Sequence, residues 1–246
     1  MSSSQAMSAE KPMKQDDMKR ALALLDEQIG ESDLLMSVAP IRLISIGGSL
    51  AVCVLGNRES SYDIDCVLDP NIAAAAEYAD EFKRAVEKVA TKGDLANLWL
   101  NRQLETFISR TKRANLFMES VQQGIPIYSG TNLTIYAGRL DWALERKLRR
   151  VAHAKDRRKQ KDVDIPDAAA LIRRMVSDSG RPLTFEYTSS LNYNGFDVPP
   201  TKGALQEVAQ YYAGVYGDVG LVELVWDDDH QKNKYRGLDD QWVWYE

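Results

Sequence analysis

Ile41 to Leu68 reads IRLISIGGSLAVCVLGNRESSYDIDCVL, and the fold is decided by how this stretch is read. An apolar run through Leu43, Ile44 and Ile46 ends on Gly47-Gly48-Ser49. Thirteen residues separate Ser49 from Asp63-Ile64-Asp65, which runs into Cys66-Val67-Leu68. Strand side chains alternate faces, so Asp63 and Asp65 share one. Carboxylates held that close repel, and the pair is unfavourable unless a cation neutralises it. Mg²⁺ (or Mn²⁺) suits such a pair, because it binds through one or two carboxylates and keeps its other positions for phosphate and water. The glycines suit the same partner. Backbone without a Cβ can approach phosphate closely, and amides with a hydroxyl at a helix start can hold its oxygens. The plain alternative is an ordinary turn followed by a solvated strand end.

Around this stretch the pattern alternates. Asp16-Asp17 cap a helix whose apolar positions are Met18, Ala21, Leu22, Leu25 and Ile29, closed by Gly30. Residues 41–46 form a first strand, 49–55 open a helix after the glycine turn, and 62–68 form a second strand stopped by Asp69-Pro70. Residues 72–91 are a strong helix with Phe82, Val86 and Val89 on one side. Residues 98–100 and 105–108 read as short strand-like pieces, 114–123 as helix, and 125–128 and 133–136 as extended segments. The stripe Leu140, Ala143, Leu144, Leu148 and Val151 predicts a helix over 139–154, and others follow over 166–177 and 203–216. An apolar piece (221–226) and an aromatic tail, Trp242-Val243-Trp244-Tyr245, close the chain. The expected fold class is α/β (α+β), with a disordered lead-in over 1–16 and a small mixed sheet with flanking helices over 17–137. A mainly helical portion over 138–246 is expected to pack on that core.

At 246 residues the chain is long enough for a sizeable core, and 44 % hydrophobic with 27 % charged residues is ordinary for a water-soluble globular protein. A formal charge of −5 gives no global basic field of the kind that attracts nucleic acid. Cys53 and Cys66 show neither CxxC spacing nor a disulfide framework, which fits two buried small hydrophobes in a reducing compartment. No apolar run is long enough to span a membrane, and the N-terminus lacks the apolar core of a secretory signal. The expectation is an intracellular protein of the cytoplasm or nucleus, not secreted and without a membrane partner.

Gly48-Ser49 followed at this spacing by Asp63-Ile64-Asp65 resembles the signature of the DNA polymerase β-like nucleotidyltransferase superfamily, mainly over residues 41–69 and more loosely up to about residue 172. The resemblance implies a metal-dependent transfer of a nucleoside monophosphate from a triphosphate such as ATP to a hydroxyl on a protein, an RNA or a small molecule. Asp63 and Asp65 would be catalytic Mg²⁺ ligands, and Gly47, Gly48 and Ser49 would cradle the triphosphate. Members of the superfamily generally use a third carboxylate on a later strand. Glu105 and Asp94 are the candidates, with Glu105 favoured by its apolar flanks. Divergent members, including bacterial abortive-infection toxins, carry a helix lysine followed by a basic stretch and a Lys-Asp element. Residues 139–167, RLDWALERKLRRVAHAKDRRKQKDVDIPD, are similar. Lys147 would neutralise outgoing pyrophosphate, with Lys161 and Asp162 as the Lys-Asp element, although Lys155-Asp156 offers a second such pair.

Between Arg146 and Lys161 nine Lys or Arg residues stand against one Asp, an excess that suits a phosphate or nucleic-acid partner as well as it suits a solvated surface. Two other functions compete with the enzyme: a catalytically silent nucleotide-binding or protein-interaction module of the same fold, and an RNA-binding protein with an incidental Asp-x-Asp. His153 and His230 lack metal-ligand spacing. Asp227-Asp228-Asp229 reads as an exposed acidic turn, and Ser45 and Ser49 lack the G-x-S-x-G elbow of a hydrolase.

Overall fold

The computed structural model describes residues 11–153, 155, 156, 158 and 160–246. They divide into two compact units. One runs through Phe107 and takes in Arg113–Gly138, and the other comprises Ile108–Lys112 and Arg139–Glu246.

In the first unit, β1 (Met13–Lys14) leads into α1 (Gln15–Gly30) and α2 (Asp33–Met36). β2 (Ile41–Ser45) is followed by α3 (Gly48–Leu50), which widens into a π-helical turn over Ala51–Leu55. Then come β3 (Ser60–Ser61), β4 (Ile64–Leu68), α4 (Pro70–Ala74), α5 (Ala76–Lys92) and β5 (Leu100–Asn101). A 3-10 turn (Gln103–Phe107) and α6 (Arg110–Gln123, of which the part from Arg113 belongs to this unit) precede β6 (Pro126–Ser129) and β7 (Leu133–Ala137).

Five of these strands form a mixed sheet in the order β5-β4-β2-β7-β6. β2 runs antiparallel to β4 and parallel to β7, and β5 is parallel to β4. Ile41, Leu43 and Ile44 of the central strand are fully buried, the near-continuous apolar run of a strand covered on both faces. A parallel pair needs a crossover, and α4 with α5 supplies it between β4 and β5. α5 buries Phe82, Ala85, Val86, Val89 and Ala90 at helical spacing. Trp99 is buried after it, its indole N–H donating to the Val86 carbonyl at 3.2 Å. α1 buries Met18, Ala21, Leu22, Leu25 and Ile29, and the Asp17 carboxylate accepts from the Lys14 amide at 2.9 Å at its start. Both cysteines are free thiols, and burial pushes the Cys66 thiol far up.

The second unit contains α7 (Leu140–His153), a π-helical turn (Gln160–Asp164), α8 (Ile165–Ser179), β8 (Leu183–Thr184), α9 (Phe185–Ser190), α10 (Lys202–Tyr216) and β9 (Leu221–Val222). α7 packs against α8, and α8 against α10. The buried stripe of α7 includes Leu140, Ala143, Leu144, Leu148 and Val151. β8 and β9 form a short parallel pair, and Gly220 just before β9 lies against the Tyr212 ring, where a Cβ would fall 2.6 Å from ring carbons. β10 (Val225–Asp227), β11 (Lys232–Arg236) and β12 (Trp242–Trp244) make an antiparallel meander.

The α/β class holds, with three local corrections. Residues 105–108 are not strand-like, because Gln103–Phe107 coil into a 3-10 turn. The aromatic tail, which the sequence pattern assigns to no element, is partly strand, with Trp242–Trp244 paired with Lys234–Arg236. Of the expected lead-in, residues 1–10 lie outside the described residues, while Met13–Lys14 pair with Ser60–Ser61. Among the described residues no helix is long and apolar enough to cross a membrane.

Candidate functional site

The glycine turn and the Asp65 carboxylate meet because β2 and β4 are antiparallel neighbours. Ser45, at the end of β2, stands opposite Cys66 near the start of β4. Gly47 has φ +81°, a region that favours glycine, and begins the turn into α3. A Cβ on Gly47 would lie 3.8 Å from Asp65 Oδ2, so the carboxylate borders the bare backbone of the turn. The Ser45 hydroxyl donates to the Asp65 carbonyl at 2.5 Å and lies 2.7 Å from Ser49 Oγ. A hydroxyl has one proton. Ser45 gives its own to Asp65, so Ser49 donates to Ser45. Ser49 is fully buried, and its hydroxyl is an internal strut rather than a phosphate donor. Gly48 is also explained from inside the chain: a Cβ there would lie 2.5 Å from Ser61 Cβ and closer still to its Oγ.

Asp63 immediately precedes β4 and Asp65 lies within it, and both side chains are half-buried. Across the parallel ladder, Asn101 is in register with Asp65. Its Nδ2 donates to Asp63 Oδ2 at 3.1 Å, and its Oδ1 accepts from the Gln103 amide at 3.0 Å. Asn101 thus joins the pair although it was not singled out from the sequence. The available signal was its place directly after the apolar Trp99-Leu100.

Neither candidate third carboxylate joins them. Glu105 is gripped by Arg102 through two hydrogen bonds (2.7 and 3.0 Å) and by Arg113 at 3.4 Å. It also accepts from the Leu68 amide at 3.4 Å, capping the edge of β4 where pairing with β5 has ended. Asp94 follows α5 with φ 49° and lines a cleft of about 510 Å³ together with Lys11, Asp17, Arg20, Tyr62 and Trp99. Among the described residues no three or more His, Cys, Asp or Glu side chains gather as metal ligands.

Lys147 belongs to the second unit, where it is not the surface residue that a phosphate-binding role implied. It is 7 % exposed, and its ammonium lies 2.7 Å from Asp167 and 3.2 Å from Asp164, each 1 % exposed. Arg150 shares Asp164 at 3.1 Å. Arg149 pairs with Glu145 at 2.9 Å, and burial pushes the Glu145 carboxyl up. Part of the basic stretch is therefore internal ion pairing. Lys155, Asp156, Lys161 and Asp162 are exposed, with Arg158 3.6 Å from Asp162, while Arg157 and Lys159 lie outside the described residues. The acidic turn is used locally. Asp227 pairs with His230 at 2.9 Å and with Lys234, whose ammonium holds the carboxyl well below its usual range, and Asp228 accepts from the Trp226 indole at 3.1 Å.

The family model described as "Domain of unknown function (DUF7582)" matches residues 50–219. The match takes in Asp63, Asp65, Asn101 and Lys147, and begins directly after Gly47-Gly48-Ser49. No curated protein and no solved structure matches the chain.

Proposed function

We propose that this chain, which belongs to the DUF7582 family of domains of unknown function, is a metal-dependent nucleotidyltransferase that moves a nucleoside monophosphate from a triphosphate to a hydroxyl acceptor. The observation that carries the reading is the approach of the Gly47 turn to Asp65, with 3.8 Å between the position a Cβ would take and the carboxylate oxygen. A bare left-handed backbone next to the Asp65 carboxylate would let a polyphosphate approach the chain beside its counter-ion. The donor set fits Mg²⁺ or Mn²⁺: Asp63 and Asp65 offer hard oxygens, and the ion's remaining positions suit phosphate and water. When bound, the ion supplies Lewis-acid polarisation of the transferred phosphoryl group. The chain's own residues position the reactants. Ser45 ties the Asp65 carbonyl to the end of β2, and Asn101 holds Asp63 from the next strand. The acceptor hydroxyl oxygen would form the new P–O bond in line as the bond to pyrophosphate breaks, with the hydroxyl proton passing to solvent water. Lys147, Ser49 and Glu105 have no role in this scheme, because each is committed inside the protein.

The test is incubation with each labelled nucleoside triphosphate, Mg²⁺ or Mn²⁺, and cell extract. Label is expected on protein, RNA or a small molecule, and absent with Asp65→Asn, whose circular dichroism should match the wild type. Undiminished transfer by that variant would end the proposal.

One observation favours a second reading, a catalytically silent nucleotide-binding module. The strand position beside Asp65 carries the neutral Asn101. Metal-dependent triphosphate binding without turnover of any nucleotide would select it.

A further inference from the structure

Asn101 is 7 % exposed, and its amide orientation is dictated by the main chain. Gln103 N–H must be accepted by Oδ1, so Nδ2 faces the opposite way, toward Leu98 O at 3.4 Å and Asp63 Oδ2 at 3.1 Å. The strand next to the carboxylate pair therefore presents N–H to it rather than oxygen. That N–H takes a lone pair of Asp63 and turns the positive end of a dipole to this flank, where a further cation would find neither a ligand nor a favourable potential.

We propose that Asn101 limits the Asp63–Asp65 site to a single divalent cation, the one that accompanies a polyphosphate, by closing the Asp63 flank with its amide. The proposal rests on the metal-and-nucleotide reading above. Asn101 is a positioning residue in this arrangement: it orients Asp63 and keeps the flank neutral.

The experiment is equilibrium dialysis of the full chain against Mn²⁺ and inorganic tripolyphosphate, a probe independent of base preference, with protein-bound manganese counted. Wild type is expected to hold one ion per chain and Asn101→Asp two. Asn101→Ala, which removes the donor without adding charge, is expected to keep one ion with affinity reduced roughly ten- to a hundredfold, the worth of a hydrogen bond to a charged group. Two ions in wild type, an unchanged count in Asn101→Asp, or undiminished affinity in Asn101→Ala each overturns the inference while leaving the metal reading standing. No bound manganese in wild type, or one ion that survives Asp65→Asn, overturns both.

Discussion

Lys147 shows how a residue's role follows from its burial. A lysine on a helix before a basic run looks like a phosphate ligand, yet its ammonium is enclosed by Asp164 and Asp167. Removing one member of a buried ion pair leaves charge without compensation, so Lys147→Ala should destabilise the protein by about 3–5 kcal/mol. Urea denaturation monitored by circular dichroism measures this, and a loss typical of an exposed lysine would refute the buried cluster. Gly48 makes the parallel point. Because the obstacle is Ser61, Gly48→Ala should destabilise by about 1–3 kcal/mol without any ligand present. The double variant with Ser61→Gly should recover most of that loss, since contacting positions couple. Independent, additive effects in the double-mutant cycle would show that the two do not touch. The glycine was legible in the sequence, but what it faces was not, because Ser61 arrives from another strand.

At the scale of elements, period and punctuation were good guides. α1 buries the stripe that the sequence marks, and Gly30 ends it. What ties α1 to the sheet was hidden. Asp26 accepts from the amides of Asn132 (2.8 Å), Leu133 (2.7 Å) and Thr131 (3.3 Å), fastening the helix to the turn between β6 and β7. Those amides lie over a hundred residues away, so no local pattern records the contact. Asp26→Ala should cost about 2–4 kcal/mol in chemical denaturation, with Asp26→Asn recovering part through its one acceptor oxygen. Equal losses for the two variants would mean that the carboxylate is not the acceptor. Glu105 failed as a strand for a related reason: its apolar neighbours suited a strand, but two guanidiniums and the Leu68 amide hold it in a 3-10 turn.

Over the whole molecule the tryptophans separate into two populations. Trp99 and Trp142 are 1 % and 0 % exposed, while Trp226, Trp242 and Trp244 of the C-terminal meander are 51 %, 44 % and 39 % exposed. Acrylamide quenching of fluorescence should resolve an accessible and a shielded fraction. Replacing the three meander tryptophans by Phe should remove the accessible one and shift the remaining emission to shorter wavelength. An accessible fraction that persists in that variant would contradict the buried positions of Trp99 and Trp142. The meander lies beyond the matched residues 50–219, so its exposed indoles are not part of the shared family domain.

The sequence by itself determined the order of elements around the glycine turn, the alternation that makes a mixed sheet, the principal helical stripes and the Asp63–Asp65 pair. These depend on neighbours in the chain, through side-chain period and the conformational preferences of Gly and Pro. Only the tertiary structure decided which polar groups meet. Asn101 stands beside Asp65 because a crossover returns β5 parallel to β4. Ser49 turns inward to Ser45, and Lys147 is enclosed by carboxylates from the next helical segment. Buried donors and charges must find partners, and those partners are selected by where the packed elements bring them rather than by their distance along the chain.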